Sequence, residues 1–384
     1  MAGIGLDYPP IDASSWPKSV PGDVLWLDHA VNASQAETLQ TIRDLPLVAP
    51  PYTLPAYSNA GFNVLGWALA AAAGGEPADY ATVLQRDIFE PLGLSSGFNA
   101  TKENSARVAV ASKFPFEVDY DVGSYNPSAG QFSSLRDLIT VMQTFLDPSR
   151  NNSLLSPYSV REWLRPLHGF PDDFSEMGAP WEIVKLPDSN GNTKGLYSKS
   201  GNLLASHSNF IFDPVSSFGV VVLMTGQYRF ALELAIQAIQ IFQPAFDLLQ
   251  EQTANRLYGG FWQSDDLRSH AIVYVENGSI WLGGLVLNGT DMFEVLEGGP
   301  RYPKNRKYGI WPTGRDDEFR VIFGGAKAEN IPFVGCFPSF ASMDPFFARG
   351  APINLILFEG DSEKRAMRVP SMGVVLKRTL RDGK

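Results

Sequence analysis

The stretch GLYSKSGNLLASHSNFIFDPVSSFGVVVLMT, residues 195–225, decides the fold of the larger part of this chain. Apolar and polar residues alternate within it in short runs, which is typical of β-strands. It predicts antiparallel strands at 195–200, 208–212 and 218–225, with a turn at Asp213-Pro214. A further strand is predicted immediately upstream, at 181–186. The four runs together indicate one antiparallel sheet.

On either side of this sheet, apolar residues recur with the spacing of α-helices. Ser34 and Glu37 form a capping-box pattern at the start of a short helix. The clearest helix covers 60–73, where Phe62, Leu65 and Leu69 recur at helical spacing before Gly74-Gly75 ends it. Further helices are predicted at 79–88, at 132–146 with Ser133 or Ser134 as the cap, from Ser156-Pro157 onward, and at 230–249.

From about residue 252 the pattern changes to short strands and tight turns. Asn277-Gly278 and Asn288-Gly289 are strong hairpin signals, and alternation is visible at 271–275 and 353–357. This indicates a separate β-barrel-like domain of ordinary size. We therefore expect two domains, at 1–250 and 251–384.

The composition excludes several classes of function. The chain has 384 residues, a net charge of −10 and no cluster of Lys and Arg, which disfavours nucleic acid or an anionic membrane as a partner. Cys336 is the only cysteine and lies in an apolar stretch, so neither a disulfide nor an activated thiol is expected. The four histidines are far apart and no apolar run could span a bilayer, so no metal site and no membrane segment are predicted.

The pattern Asn-x-Ser/Thr marks acceptor sites for N-linked sugars, and such sites belong to secreted proteins. The chain carries it at Asn32, Asn99, Asn151, Asn277 and Asn288. These sequons favour a glycosylated, secreted full-length form. Residues 1–5 show no basic and apolar signal peptide, which conflicts with that expectation.

Two short motifs could carry chemistry. Tyr57-Ser58-Asn59 follows a proline-rich segment and precedes a helix, so its phenol could be fixed in a cleft. Lys199-Ser200-Gly201 ends a predicted strand, and a cation there could bind an anionic group. Each motif alone has an ordinary structural explanation, because turn residues commonly precede helices and lysine commonly protects edge strands.

Together and in this order, the motifs resemble the serine β-lactamase and penicillin-binding-protein family, especially its class C-like branch of esterases, D-aminopeptidases and acyltransferases. The resemblance covers roughly residues 1–249, and a lipocalin-like barrel beginning near 258–262 resembles one that some members append. It rests on ordered landmarks, namely 57–66, 88–94, 128–138, 199–201 and 212–223. It implies an α+β fold: an incomplete β-lactamase/transpeptidase-like domain, with an antiparallel sheet and helices, followed by an all-β barrel.

The resemblance also implies roles. Tyr57 would act as general base towards a serine nucleophile, and because a tyrosine ordinarily titrates near pH 10, Lys199 is a candidate to favour its phenolate. Asn59 would hydrogen-bond the acyl side chain of the substrate. Ser200 and Gly201 belong to the substrate-binding strand, and the backbone N–H of Asn202 would supply part of the oxyanion hole. The implied partner is a small-molecule acyl substrate, and no cofactor is implied.

The nucleophile of this family is the serine of an S-x-x-K motif at the start of a helix. The only upstream match is Ser15-Trp16-Pro17-Lys18, and Pro21-Gly22 follows too closely for a helix of sufficient length. Residues 1–5 are similar to a segment that comes after S-x-x-K in the family, so we expect the chain to begin inside the domain.

Loss of the serine nucleophile costs roughly a millionfold in kcat in a serine hydrolase, so negligible acyl-enzyme chemistry is expected from these residues. Two hypotheses follow. The first is a β-lactamase-like hydrolase or acyltransferase, acting on ester, amide or β-lactam substrates, that is represented by an incomplete chain. The second is a non-catalytic pseudoenzyme that binds a small molecule or a peptide.

Overall fold

The chain forms two compact units, Met1–Phe242 and Gln243–Lys384. The computed structural model describes residues 2–5, 17–18, 33–74, 79–98, 105–109, 122–296, 307–322, 343, 345–361 and 364–379. Several residues named in the sequence analysis lie outside these ranges, namely Ser15, Trp16, Pro21, Gly22, Asn32, Gly75, Asn99 and Cys336. The predicted domain boundary at 250/251 stays a prediction.

The first unit contains helices before and after the central sheet. In chain order they are α1 (Gln35–Asp44), α2 (Asn59–Ala72), α3 (Tyr80–Leu84), α4 (Glu90–Leu92), α5 (Asn126–Ala129), α6 (Leu135–Leu146) and α7 (Pro157–Trp163). Helix α8 (Ala231–Tyr258) follows the sheet and runs across the division between the units. A π-helical segment, Gln85–Phe89, joins α3 to α4, where a single helix was predicted.

The predicted helix starts are confirmed by their capping geometry. The hydroxyl of Ser34 accepts from the N–H of Glu37, whose carboxylate accepts in return from Ser34. Ser134, rather than Ser133, caps α6. Each cap satisfies a backbone donor that has no partner within the first helical turn.

Helix α2 is where predicted, but its large apolar residues do not face the interior. Phe62, Leu65 and Leu69 are exposed among the described residues, whereas Gly66 and Trp67 on the opposite face are buried. A Cβ at Gly66 would lie 2.4 Å from the Cβ of Pro127. Close approach of α5 therefore decides which face of α2 packs inward, and the apolar period alone predicted the helix but not its orientation.

A six-stranded antiparallel sheet, with its strands in chain order, forms the centre of the first unit. Its strands are β1 (His168–Gly169), β2 (Ser175–Met177), β3 (Glu182–Pro187), β4 (Thr193–Leu203), β5 (Ser206–Asp213) and β6 (Phe218–Thr225). The four predicted strands are β3 to β6, and their antiparallel order is confirmed. Strands β1 and β2 were not predicted, because runs of two or three residues show no alternation.

Helices α6 and α7 cover one face of this sheet through an aromatic core. The ring of Phe145 on α6 lies 5.3 Å from that of Phe212 on β5 and 5.1 Å from that of Trp181, which precedes β3. Val160 of α7 is buried in the same cluster. These contacts fix the start of β3, and with it the position of Glu182, the first residue of that strand.

The second unit is a closed antiparallel barrel, which confirms the predicted all-β domain. Its eight strands are β7 (Gly260–Gln263), β8 (His270–Glu276), β9 (Ser279–Leu287), β11 (Tyr308–Pro312), β12 (Glu318–Val321), β15 (Leu355–Glu359), β16 (Ala366–Val369) and β17 (Val374–Thr379). They pair in the cyclic order β9-β11-β12-β15-β16-β17-β7-β8, and pairing of β8 with β9 closes the ring. The short elements β10 (Thr290–Asp291), α9 (Met292–Leu296), β13 (Phe347–Ala348) and β14 (Ala351–Pro352) complete the unit.

Side chains fill the barrel, as expected for a small barrel of this strand number. Trp262, Leu282, Met367 and Leu376 are fully buried in one cluster. The C-terminal end of α8 is held against this unit by Arg378, which donates to the carbonyls of Arg256 and Leu257 at 2.8 and 2.7 Å. A guanidinium suits this place because it satisfies carbonyls at the negative end of the helix dipole.

Among the described residues, no helix has the length and apolar character needed to cross a membrane.

Candidate acyl-transfer site

Tyr57 is held at the entrance to α2 by the residue that follows it. The hydroxyl of Ser58 accepts from the N–H of Gly61 at 2.8 Å, which caps the helix, and donates to the carbonyl of Gly5 at 2.6 Å. The side chain of Tyr57 itself is 59 % exposed. The predicted rigid position before a helix is therefore present, and the phenol is open to a ligand.

Lys199 lies on β4 immediately beyond the part that β3 covers. Glu182, the first residue of β3, pairs with Ser198, and among the described residues β4 has no backbone neighbour on that side from Lys199 onward. The ammonium of Lys199 lies 5.2 Å from the centroid of the Tyr57 ring. The fold thus brings together two predicted site residues that are far apart in sequence.

The ammonium of Lys199 has two further contacts. It donates to Oε1 of Glu182 at 2.8 Å and to the carbonyl of Ser200 at 2.8 Å. Oε2 of Glu182 accepts from the N–H of Ser200 at 3.3 Å. Sequence reasoning missed Glu182, because only the register of β3 against β4 places its carboxylate beside Lys199.

The other predicted residues occupy the neighbouring positions. Asn59 is the first residue of α2 and is half-buried. The side-chain oxygen of Asn202 lies 2.8 Å from Nδ1 of His207, so that side chain is engaged within the sheet. Hydrogen-bonding direction alternates along an antiparallel strand. The N–H of Asn202 therefore points to the same outer edge as that of Ser200.

Gly201 has a structural reason of its own. A Cβ at this position would lie 2.6 Å from the hydroxyl oxygen of Ser208 on β5. The packing of β4 against β5 therefore leaves little room for a side chain at this position.

The hydroxyl of Ser200 belongs to the other face of the sheet. It accepts from the side-chain amide of the buried Asn209 at 3.0 Å. A cavity of about 500 Å³ is lined by Ser200, Asn202 and Ser208 of the sheet and by residues from Arg229 to Gln240. Neither Tyr57 nor Lys199 lines this cavity.

Within the described ranges, no hydroxyl group makes a hydrogen bond with the ammonium of Lys199 or the phenol of Tyr57. The same ranges hold no group of three His, Cys, Asp or Glu side chains that could bind a metal ion. The arrangement therefore contains a phenol, an ammonium and an edge amide, which are groups that can assist acyl transfer to a hydroxyl but cannot themselves begin it.

The sequons at Asn151, Asn277 and Asn288 lie on exposed turns, where a sugar could be attached. Asn277 and Asn288 have φ angles of 53° and 52°, as expected for Asn before Gly in a hairpin. Glycosylation of these residues stays a prediction.

Comparison with known proteins agrees with these features. A model of the Beta-lactamase family matches residues 9–242. A Beta-lactamase-like protein of Strobilurus tenacellus is 40 % identical over 312 residues, a match that covers 79 % of this chain and 99 % of that protein. A Beta-lactamase-like protein of Arthroderma benhamiae is 24 % identical over 93 % of this chain and 65 % of its own length.

A Probable hydrolase of a Phoma species is 23 % identical, and the match covers 76 % of this chain and 48 % of that protein. The chain thus spans about half to two thirds of the length of these two more distant relatives, while it spans nearly all of the Strobilurus protein. The matched region contains Tyr57, Glu182 and Lys199. This chain belongs to the Beta-lactamase family, a family of the hydrolase or acyltransferase type.

Proposed function

We propose that the surface around Tyr57 and Lys199 is the acyl-binding part of a β-lactamase-like serine hydrolase or acyltransferase site. The observation that supports this most is the 5.2 Å approach of the Lys199 ammonium to the Tyr57 ring, beside the edge N–H groups of β4. In the proposed roles, Tyr57 takes a proton from an attacking hydroxyl. The N–H of Asn202 stabilises negative charge on the acyl oxygen, and Asn59 contacts the acyl side chain.

The part of the chain that the structure describes places no nucleophile beside Tyr57 and Lys199. An acyl-enzyme requires a serine hydroxyl within hydrogen-bonding reach of the base, and no described hydroxyl stands there. We therefore propose that these residues bind acyl compounds without forming a covalent intermediate.

A non-catalytic binding role is the second candidate, and the two hydrogen bonds of Glu182 favour it because they occupy groups that a reacting substrate would need. Both the ammonium of Lys199 and the N–H of Ser200 are engaged by Glu182. In that role the site holds a small acyl compound or peptide and releases it unchanged.

Covalent labelling tests the missing nucleophile. The purified chain is incubated with a fluorophosphonate or a β-lactam and its intact mass is measured. We expect no adduct. A stoichiometric adduct on a serine would show that the chain supplies its own nucleophile.

Binding of a neutral acyl compound tests the location of the site. N-phenylacetylglycine methyl ester is titrated and followed by ligand-observed NMR. We expect Tyr57→Phe and Lys199→Ala to weaken binding several-fold. Tyr52→Phe, which alters an exposed tyrosine in the same segment, serves as the matched control and should leave binding unchanged. Equal affinity in all four proteins would place acyl binding elsewhere.

A further inference from the structure

Glu182 occupies the position in which this site would bind an anion. Its carboxylate takes one hydrogen bond from an ammonium, at 2.8 Å, and one from an edge N–H of β4, at 3.3 Å. A cation together with an outward-pointing backbone amide is the combination by which proteins hold a ligand carboxylate. Here the chain itself supplies the carboxylate.

The position of Glu182 is fixed from both sides. Its backbone pairs with Ser198 in the register of β3 against β4. The residue before it, Trp181, is buried against Phe145 and Phe212. The side chain therefore starts from a rigid point, and the carboxylate stands next to Lys199 because of the fold rather than by chance of an exposed rotamer.

The ion pair is only partly exposed, with 33 % of the Lys199 side chain and 28 % of the Glu182 side chain open to solvent. Screening is weaker for such a pair than for one on the open surface. A second carboxylate brought to Lys199 would share one ammonium with Glu182 and would lie next to a like charge.

The groups that remain suit an uncharged ligand. The N–H of Asn202 points outward from the same edge as that of Ser200, and the exposed phenol of Tyr57 belongs to the ring that lies 5.2 Å from the Lys199 ammonium. Both are donors for a carbonyl oxygen, and neither carries a formal positive charge.

We propose that Glu182 is a specificity-determining residue that makes this site select neutral acyl esters and reject compounds with a free carboxylate beside the acyl group. This inference rests on the proposed function, because it names the substrate class of the same site.

The test compares two ligands that differ in one group, N-phenylacetylglycine and its methyl ester. Binding to the full chain is measured by ligand-observed NMR, which needs no turnover. We expect the wild-type protein to bind the ester about tenfold more tightly than the acid, as removal of one like-charge contact allows. Glu182→Gln, which keeps the size of the side chain, should raise affinity for the acid about tenfold and change that for the ester by less than about twofold.

The matched control is Glu176→Gln. Glu176 on β2 pairs with Lys185 on β3 at 3.3 Å, so the variant also removes one carboxylate charge from an ion pair of the same sheet. This variant should leave the preference unchanged, and thermal unfolding of both variants checks that the fold is intact.

The outcomes separate the two proposals. If both ligands bind the wild-type chain equally, or if Glu182→Gln does not favour the acid, Glu182 does not select and this inference is wrong while acyl binding stands. If neither ligand binds any of the proteins, the proposed function fails and this inference fails with it.

Discussion

Lys199 shares one ammonium group among three neighbours: the carboxylate of Glu182, the carbonyl of Ser200 and the ring of Tyr57. An ammonium has three donors and no acceptor, so the two hydrogen bonds leave one donor for a ligand. An anionic ligand that takes this donor would lie next to the carboxylate of Glu182, so Glu182 sets which ligands Lys199 can bind.

Burial of Tyr258 makes the stability of the second unit depend on pH in the alkaline range. Burial first, and then the hydrogen bond to Asp317, raise the pKa of Tyr258 to about 12. An unfolded tyrosine titrates near pH 10. The folded state therefore holds the proton more tightly, and this stabilisation is complete below about pH 10 and is lost as pH rises through about 12.

We expect Tyr258→Phe to lose less stability than the wild type between about pH 10 and 12, because the phenylalanine has no proton to release. The measurement is urea unfolding across that range, followed by fluorescence. Tyr52→Phe, at an exposed tyrosine, is the control and should behave as the wild type. Identical pH profiles for Tyr258→Phe and wild type would contradict the assignment.

The N-terminal cap of helix α2 contributes to the stability of the fold and adjoins the candidate site. Ser58 caps the helix, ties it to Gly5 and directly follows Tyr57. A change at this cap therefore alters both the free energy of unfolding and the position of the phenol.

We expect Ser58→Ala to lower the free energy of unfolding by about 1–2 kcal/mol, as loss of a serine cap does, and to weaken ester binding as well. Ser156→Ala removes the cap of α7 and is matched in chemistry. It should cost similar stability without a change in ester affinity. Chemical unfolding and the same NMR titration provide the two readouts, and an unaltered ester affinity in Ser58→Ala would show that the cap does not position Tyr57.

The elements predicted from sequence were those with a strong local signal. Ser34, Ser134 and Ser156 predicted helix starts because a cap is a local hydrogen bond. The inward face of α2 could not be predicted, because Pro127 decides it from far along the chain. In the same way, only the family resemblance connected Tyr57 with Lys199. The register of β3 against β4, which brings Glu182 to Lys199, could not be predicted from the sequence of either strand.

Over the whole molecule, the sheets of the two units differ in whether their edge strands are paired. Every strand of the barrel ring has neighbours on both sides, whereas β6 has no outer partner within the described residues. Its outer backbone groups and its partly exposed apolar side chains form a template for pairing with another chain. The first unit is therefore the part of the molecule expected to self-associate.

We expect Leu223→Lys on β6 to reduce self-association, because a charge on an open edge opposes pairing between chains. Val375→Lys is the matched control, since Val375 has similar exposure, 47 % against 43 %, on a strand inside the closed ring. Light scattering as a function of protein concentration and temperature measures the effect. Equal suppression by both variants would mean that added charge, rather than the open edge, is responsible.

Helix α8 contains Pro244, two residues after the division between the units at Phe242/Gln243. Proline has no N–H, so the carbonyl of Gln240 receives no helical bond from it. Cleaving a helix sacrifices the bonds that cross the cut, and fewer cross beside this proline than anywhere else in a regular helix. Of two cuts inside α8, one at 242/243 would therefore sacrifice one helical hydrogen bond fewer than one at the predicted boundary 250/251.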